Sequence, residues 1–201
     1  MPAYVALEEV LLVVDADGTT RRRLERHHLE CLAVHPTDQS VVVCGTFDAG
    51  LQRSLDGGET FERVDAETLP EAVMSLSFSP DDPDELWVGT EPSQVFRSPD
   101  AGETFHHCPG LTDLPSAEAW SFPPRPQTHH VRCIEPDRTD PDRLYLGIEA
   151  GALVRSHDRG ATWEDRPSSA RRDNHEIVTH PDAPDQAWAA AGDGYAETRD
   201  G

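Results

Sequence analysis

The side chains able to do chemistry fall into two groups. The first is a set of carboxylates, Asp48, Glu91, Glu149 and Asp193, each lying a few residues after a short apolar segment. Two carboxylates facing one another are the machinery of glycoside hydrolysis, where a gap of about 5–5.5 Å retains and about 6.5–9.5 Å inverts the anomeric centre. The second is the string Trp120-Ser-Phe122-Pro-Pro-Arg125-Pro-Gln-Thr-His129-His130-Val-Arg132, followed one repeat later by Arg171-Arg172-Asp173-Asn174-His175. Aromatic, guanidinium and imidazole groups on a proline-stiffened path suit an oligosaccharide or anionic ligand; the same string also suits a loop that caps a cleft or packs on its neighbour. Trp120, Arg125, His129, His130, Arg132 and His175 are therefore the candidate ligand-binding residues. Glu149, Glu91 and Asp193 are candidate catalytic carboxylates, none of them firm.

These residues are spaced by an internal repeat, which fixes what must hold them. Ser54-Leu-Asp56-Gly-Gly58-Glu-Thr60-Phe61, Ser98-Pro-Asp100-Ala-Gly102-Glu-Thr104-Phe105 and Ser156-His-Asp158-Arg-Gly160-Ala-Thr162-Trp163 follow one pattern, and a fourth copy begins at Thr198-Arg-Asp200-Gly201. Nine residues before each Ser stands a glycine that closes an apolar strand: Gly45, Gly89 and Gly147. Upstream again, a strand ends in Pro36, Pro80, Pro136 or Pro181, and acidic proline-rich turns lead onward. Starts 44, 58 and 42 residues apart leave room for four short strands per unit.

The pattern Ser-x-Asp-x-Gly-x-Thr-Trp/Phe resembles the Asp-box, or BNR, repeat of β-propellers such as sialidases, sortilin-type receptors, xyloglucanase-type glycosidases and photosystem assembly factors. The Trp-Ser-Phe-Pro-Pro-Arg-Pro and His-His-Val-Arg strings are similar to those of prokaryotic BNR-like proteins, many of them named glycosyl hydrolase. The resemblance implies an all-β propeller of four-stranded antiparallel blades, a, b, c and d, with the box at each c-d hairpin. Blades fall at about 1–28 (partial, strands b and c with a decayed box), 29–71, 72–128, 129–173 and 174–201 (partial). Such families close with about six to eight blades, so three whole and two partial blades make an incomplete arc. The preferred expectation is a piece of a longer protein; the alternative is that arcs pair, by self-association, to close a ring. The b-c turns and d-a loops then share the face opposite the boxes, where His129, His130 and His175 are placed to converge with Glu149.

Several chemistries are set aside. A sialidase needs an arginine cluster and a Tyr nucleophile, yet Arg53, Arg97 and Arg155 occupy one repeated place leading into the box, and Tyr145 sits mid-strand. Ser156-His157-Asp158 is part of a box turn, and adjacency in sequence does not build a catalytic triad. Cys31, Cys44, Cys108 and Cys133 lack zinc-site spacing and read as buried free thiols. No metal motif is present, and no cofactor is expected. With 38 Asp+Glu against 17 Lys+Arg, all of them Arg, the net charge is −21. Phosphate backbones would be repelled, which excludes a nucleic-acid partner. The acid surplus fits a halophilic surface. No apolar run reaches membrane-span length and the N-terminus lacks a basic leader, so a cytoplasmic location is expected, without a membrane partner. The expected role is a non-catalytic binding or scaffold module for a small-molecule, carbohydrate or protein ligand; the alternative is a glycoside hydrolase with Glu149 and either Glu91 or Asp193.

Overall fold

The computed structural model describes residues 2–165 and 170–201. The described residues form seventeen strands in five antiparallel sheets. Sheet one holds β1 (Ala3–Leu7), β2 (Val10–Val14) and β3 (Thr20–Arg23). Sheet two holds β4 (Leu29–Val34), β5 (Val42–Thr46), β6 (Leu51–Ser54) and β7 (Glu62–Arg63). Sheet three holds β8 (Val73–Phe78), β9 (Leu86–Thr90), β10 (Val95–Ser98) and β11 (His106–Cys108). Sheet four holds β12 (Val131–Pro136), β13 (Leu144–Ile148) and β14 (Ala152–Ser156), and its outermost pairing is a single bridge between Arg155 and Glu164. Sheet five holds β15 (Asn174–Thr179), β16 (Ala187–Ala191) and β17 (Gly194–Thr198). In sheet one the turn at Asp15–Gly18 is followed by a paired third strand, so the segment carries a strand d that its decayed box had hidden.

The Ser-x-Asp-x-Gly-x-Thr turns are tied by their own side chains. Ser54 Oγ accepts the Gly58 N–H (2.8 Å) and donates to Asp56 Oδ1 (2.7 Å), while Asp56 Oδ2 accepts the Thr60 hydroxyl (2.6 Å). The same bonds recur at Ser98-Asp100-Gly102-Thr104 and Ser156-Asp158-Gly160-Thr162. Gly58, Gly102 and Gly160 all have positive φ, which a Cβ would penalise. Each turn delivers its aromatic onto the preceding sheet: Phe61 beside Leu11, Phe105 among Val43, Leu51 and Leu86, and Trp163 against the cluster of Trp87 and Leu144. Arg97 and Arg155 pair with Glu85 and Glu164, as scaffold residues should.

The inner strands β4, β8, β12 and β15 pack side by side. Their approach is set by the strand-b glycines: a Cβ on Gly45 would lie 2.7 Å from Val73 Cγ1, and one on Gly89 would lie 2.7 Å from Val131 Cβ. The four cysteines are free; Cys44 and Cys133 are buried in the sheets, where burial pushes each thiol up to about 12, and Cys31 is half-buried.

Candidate functional site

The face opposite the boxes is built from one backbone device used four times. The residue at the head of each b-c turn gives its N–H to the carbonyl of the residue just before an inner strand. The pairs are Phe47 to His28 (2.8 Å), Glu91 to Ala72 (3.0 Å), Glu149 to His130 (3.4 Å) and Gly192 to Asp173 (2.8 Å). Immediately beyond, all four inner strands carry a bulge, whose extra residue is Glu30, Met74, Arg132 or His175. A bulge re-aims a side chain without ending the sheet. The backbone repeats here and the side chains do not.

At the centre lies His130, 2% exposed. Its Nε2 is 2.9 Å from Glu149 Oε2, and its Nδ1 is 3.4 Å from Glu91 Oε2 without hydrogen-bond alignment. Arg125 holds both oxygens of the buried Glu91, Nε to Oε1 at 2.9 Å and Nη2 to Oε2 at 2.6 Å. Its guanidinium sits 4.8 Å from the Phe47 ring centroid and 4.7 Å from that of Phe122. The glutamate raises the Arg125 pKa further. The loop bearing Arg125 bonds to itself, Phe122 N–H to Thr128 O at 2.8 Å and Arg125 N–H to Phe122 O at 2.7 Å. Arg132, whose side chain is 41% exposed, approaches Glu149 Oε2 at 3.5 Å.

Of the expected residues, Arg125, His130, Arg132, Glu91 and Glu149 come together. Trp120 does not face a ligand: it is buried in the core with Ile148 and Ala152, and its Nε1 donates to Ser116 Oγ (3.0 Å). His129 turns away from Glu149 to meet the Trp120 ring edge-on, and burial pulls its pKa down. Asp193 accepts the Arg172 N–H (3.3 Å) and Asp48 the His28 N–H (3.2 Å), so these two carboxylates tie their turns to the backbone leading into an inner strand. His175 is exposed and pairs with Asp173 at 3.4 Å. Glu30, Met74, Phe47 and Asp173 are additions. Burial raises the Glu30 pKa, against the opposing charges of His28, His130, Arg132 and Arg125. For Glu30 and Met74 the signal is the repeat itself, aligned as Glu30-Cys31-Leu32, Met74-Ser75-Leu76, Arg132-Cys133-Ile134 and His175-Glu176-Ile177.

The arrangement limits the chemistry. Both oxygens of Glu91 are engaged by Arg125, and the His130 ring stands between it and Glu149. What is left exposed is a mixed rim of Arg132, Glu149, Asp173 and His175.

No protein-family model matches the chain, and no curated protein matches it. Among solved structures it is similar to the extracellular domain of a hybrid two-component system from B. thetaiotaomicron, with a TM-score of 0.70 at 18% identity over 98% of this chain and 27% of that one. It is also similar to an ancestral GH74 enzyme (TM-score 0.63, 16% identity, 99% of this chain and 28% of that one). A third likeness is to YCF48 bound to D1 peptide (TM-score 0.56, 18% identity, 83% of this chain and 47% of that one). The chain thus spans about a quarter to a half of the length of these neighbours. At such identities the likeness speaks for the fold alone, and the fold is that of β-propeller blades set side by side in an arc.

Proposed function

We propose that this chain is a non-catalytic binding module of the BNR type, acting in the cytoplasm, whose ligand rests on the bulge-bearing face against Glu30, Arg132, Glu149 and His175. The observation that carries the reading is the bidentate Arg125–Glu91 pair backed by His130: it uses up one of the two carboxylates a glycosidase would need. A self-bonded loop and fixed ion pairs are pre-organised for recognition, since little side-chain freedom is left to lose on binding. That a neighbour of this fold holds a peptide supports a protein or peptide ligand among the options.

Glycoside hydrolysis is the second reading, because Glu149 keeps an open side and GH74 enzymes share the fold. One experiment separates the two. The chain is assayed against a panel of soluble β-glucans and, in parallel, screened for binding to oligosaccharide and peptide arrays. The expected result is retention of a ligand that Arg132→Ala weakens, with no turnover. Turnover that disappears in Glu149→Gln would overturn the binding-module reading.

A further inference from the structure

We propose that Glu149, Asp173 and His175 form a site for one divalent transition-metal ion of the zinc class. The proposal goes beyond the binding-module reading and does not depend on it. One ligand atom from each residue lies within 4.8 Å of the others, and the three come from different places: the b-c turn of sheet four, the residue before β15, and the bulge of β15. One imidazole nitrogen with two carboxylate oxygens is a donor set for zinc or manganese, whereas calcium and magnesium take oxygen alone. Three protein ligands leave a fourth position for water.

An independent observation comes from the repeat. Gly192 occupies the place held by Phe47, Glu91 and Glu149 in the other sheets, as its N–H bond to Asp173 O shows. Its φ is not in the left-handed region, so the turn does not require glycine there. Space does. A Cβ at 192 would run into Asp173 Oδ2 and stand 3.4 Å from His175 Nε2. The position that carries a side chain in the other three sheets is thus emptied where a carboxylate and an imidazole meet.

The outer contacts are those of a held ligand set. Glu149 is oriented by His130 (2.9 Å) and Arg132 (3.5 Å), and Asp173 Oδ1 accepts the Ala150 N–H (3.1 Å). Both of these contacts to Glu149 use Oε2. Partners of this kind fix the direction of a metal ligand. Glu149 and Asp173 are half-buried and His175 is exposed, so an ion can reach the group from solvent.

The test uses the full chain in high-salt buffer, which screens diffuse attraction of cations to an acidic surface. Zinc is titrated against a chromophoric chelator, with calcium as the comparison ion. The expected result is one zinc per chain, bound at least tenfold more tightly than calcium. His175→Ala, exposed and so harmless to the fold, should weaken zinc by about tenfold or more, and Gly192→Ala should do the same by crowding the site. His180→Ala, an exposed histidine beyond the far end of β15, should change nothing. Equal zinc binding by His175→Ala, or no preference for zinc over calcium, overturns the proposal.

Discussion

The two faces of the molecule repeat different things. On the box face, backbone and side chains recur together: the Thr hydroxyl reaches its Asp Oδ2 at 2.6 Å in all three turns, and the Gly N–H reaches its Ser Oγ at 2.8, 2.8 and 2.9 Å. On the opposite face only the backbone recurs, in four bulges and four turn bonds, while the bulged residue passes from Glu30 to Met74, Arg132 and His175. Where both levels repeat, the side chains are part of what holds the chain. Where the frame repeats and the side chains diverge, the frame is already satisfied and the side chains are released for recognition.

The contrast predicts unequal consequences of mutation. Phe105→Ala, which empties a buried inter-sheet slot, should cost roughly 3–5 kcal/mol in chemical denaturation, a large share of the ~5–15 kcal/mol a domain commands; a cost below about 1 kcal/mol would show that the box aromatics are not what couples the sheets. Glu91→Gln leaves Arg125 without its counter-charge and should cost about 1–3 kcal/mol by the same method. That loss would mark Glu91 as a residue of the recognition face that behaves like scaffold.

A smaller effect is carried by pH. The Thr60 and Thr162 hydroxyls, with backbone N–H groups, hold the Asp56 and Asp158 carboxyls below the ordinary carboxylate value. A carboxyl depressed in the folded state adds stability that is fully present above its unfolded pKa and is lost as pH falls through its folded one. The denaturation midpoint should therefore decline as pH is lowered past about 4, and Asp158→Asn should flatten part of that slope. An unchanged slope would detach the box carboxylates from acid stability. Least of all, Arg132→Ala should move stability by no more than about 0.5 kcal/mol while weakening ligand capture; a large loss of stability would erase the distinction between the faces.

The fold was largely legible, because Ser, Asp, Gly and Thr hold their turn locally and so leave a fixed spacing in the chain. Less was legible at the site. Glu91, Arg125, His130 and Glu149 stand out by type, but their pairing runs between turns 19 to 34 residues apart, which spacing does not encode. Trp120 misled because an indole in a proline-rich loop looks alike whether it meets solvent or, as here, the core. Glu30 and Met74 stand in ordinary strand sequence and are singled out only by aligning the repeats, since a bulge is a property of the pairing of two strands and neither strand shows it alone. The third strand of sheet one went unseen for a related reason: Thr20–Arg23 is polar, and its pairing with β2 is supplied by backbone.

The glycines on the second strand of sheets two, three and four act as spacers of an angular kind. Each lets the next inner strand close to near contact: Val73 on Gly45, Val131 on Gly89 and Asn174 on Gly147. In sheet five the same register position, opposite Glu176, is Ala190. Any strand laid against that flank, from whatever source, meets a methyl group where the others met a hydrogen. A strand packed there would stand off by the width of that methyl group, so the closeness that glycine permits three times is withheld at the fourth position by a single carbon atom.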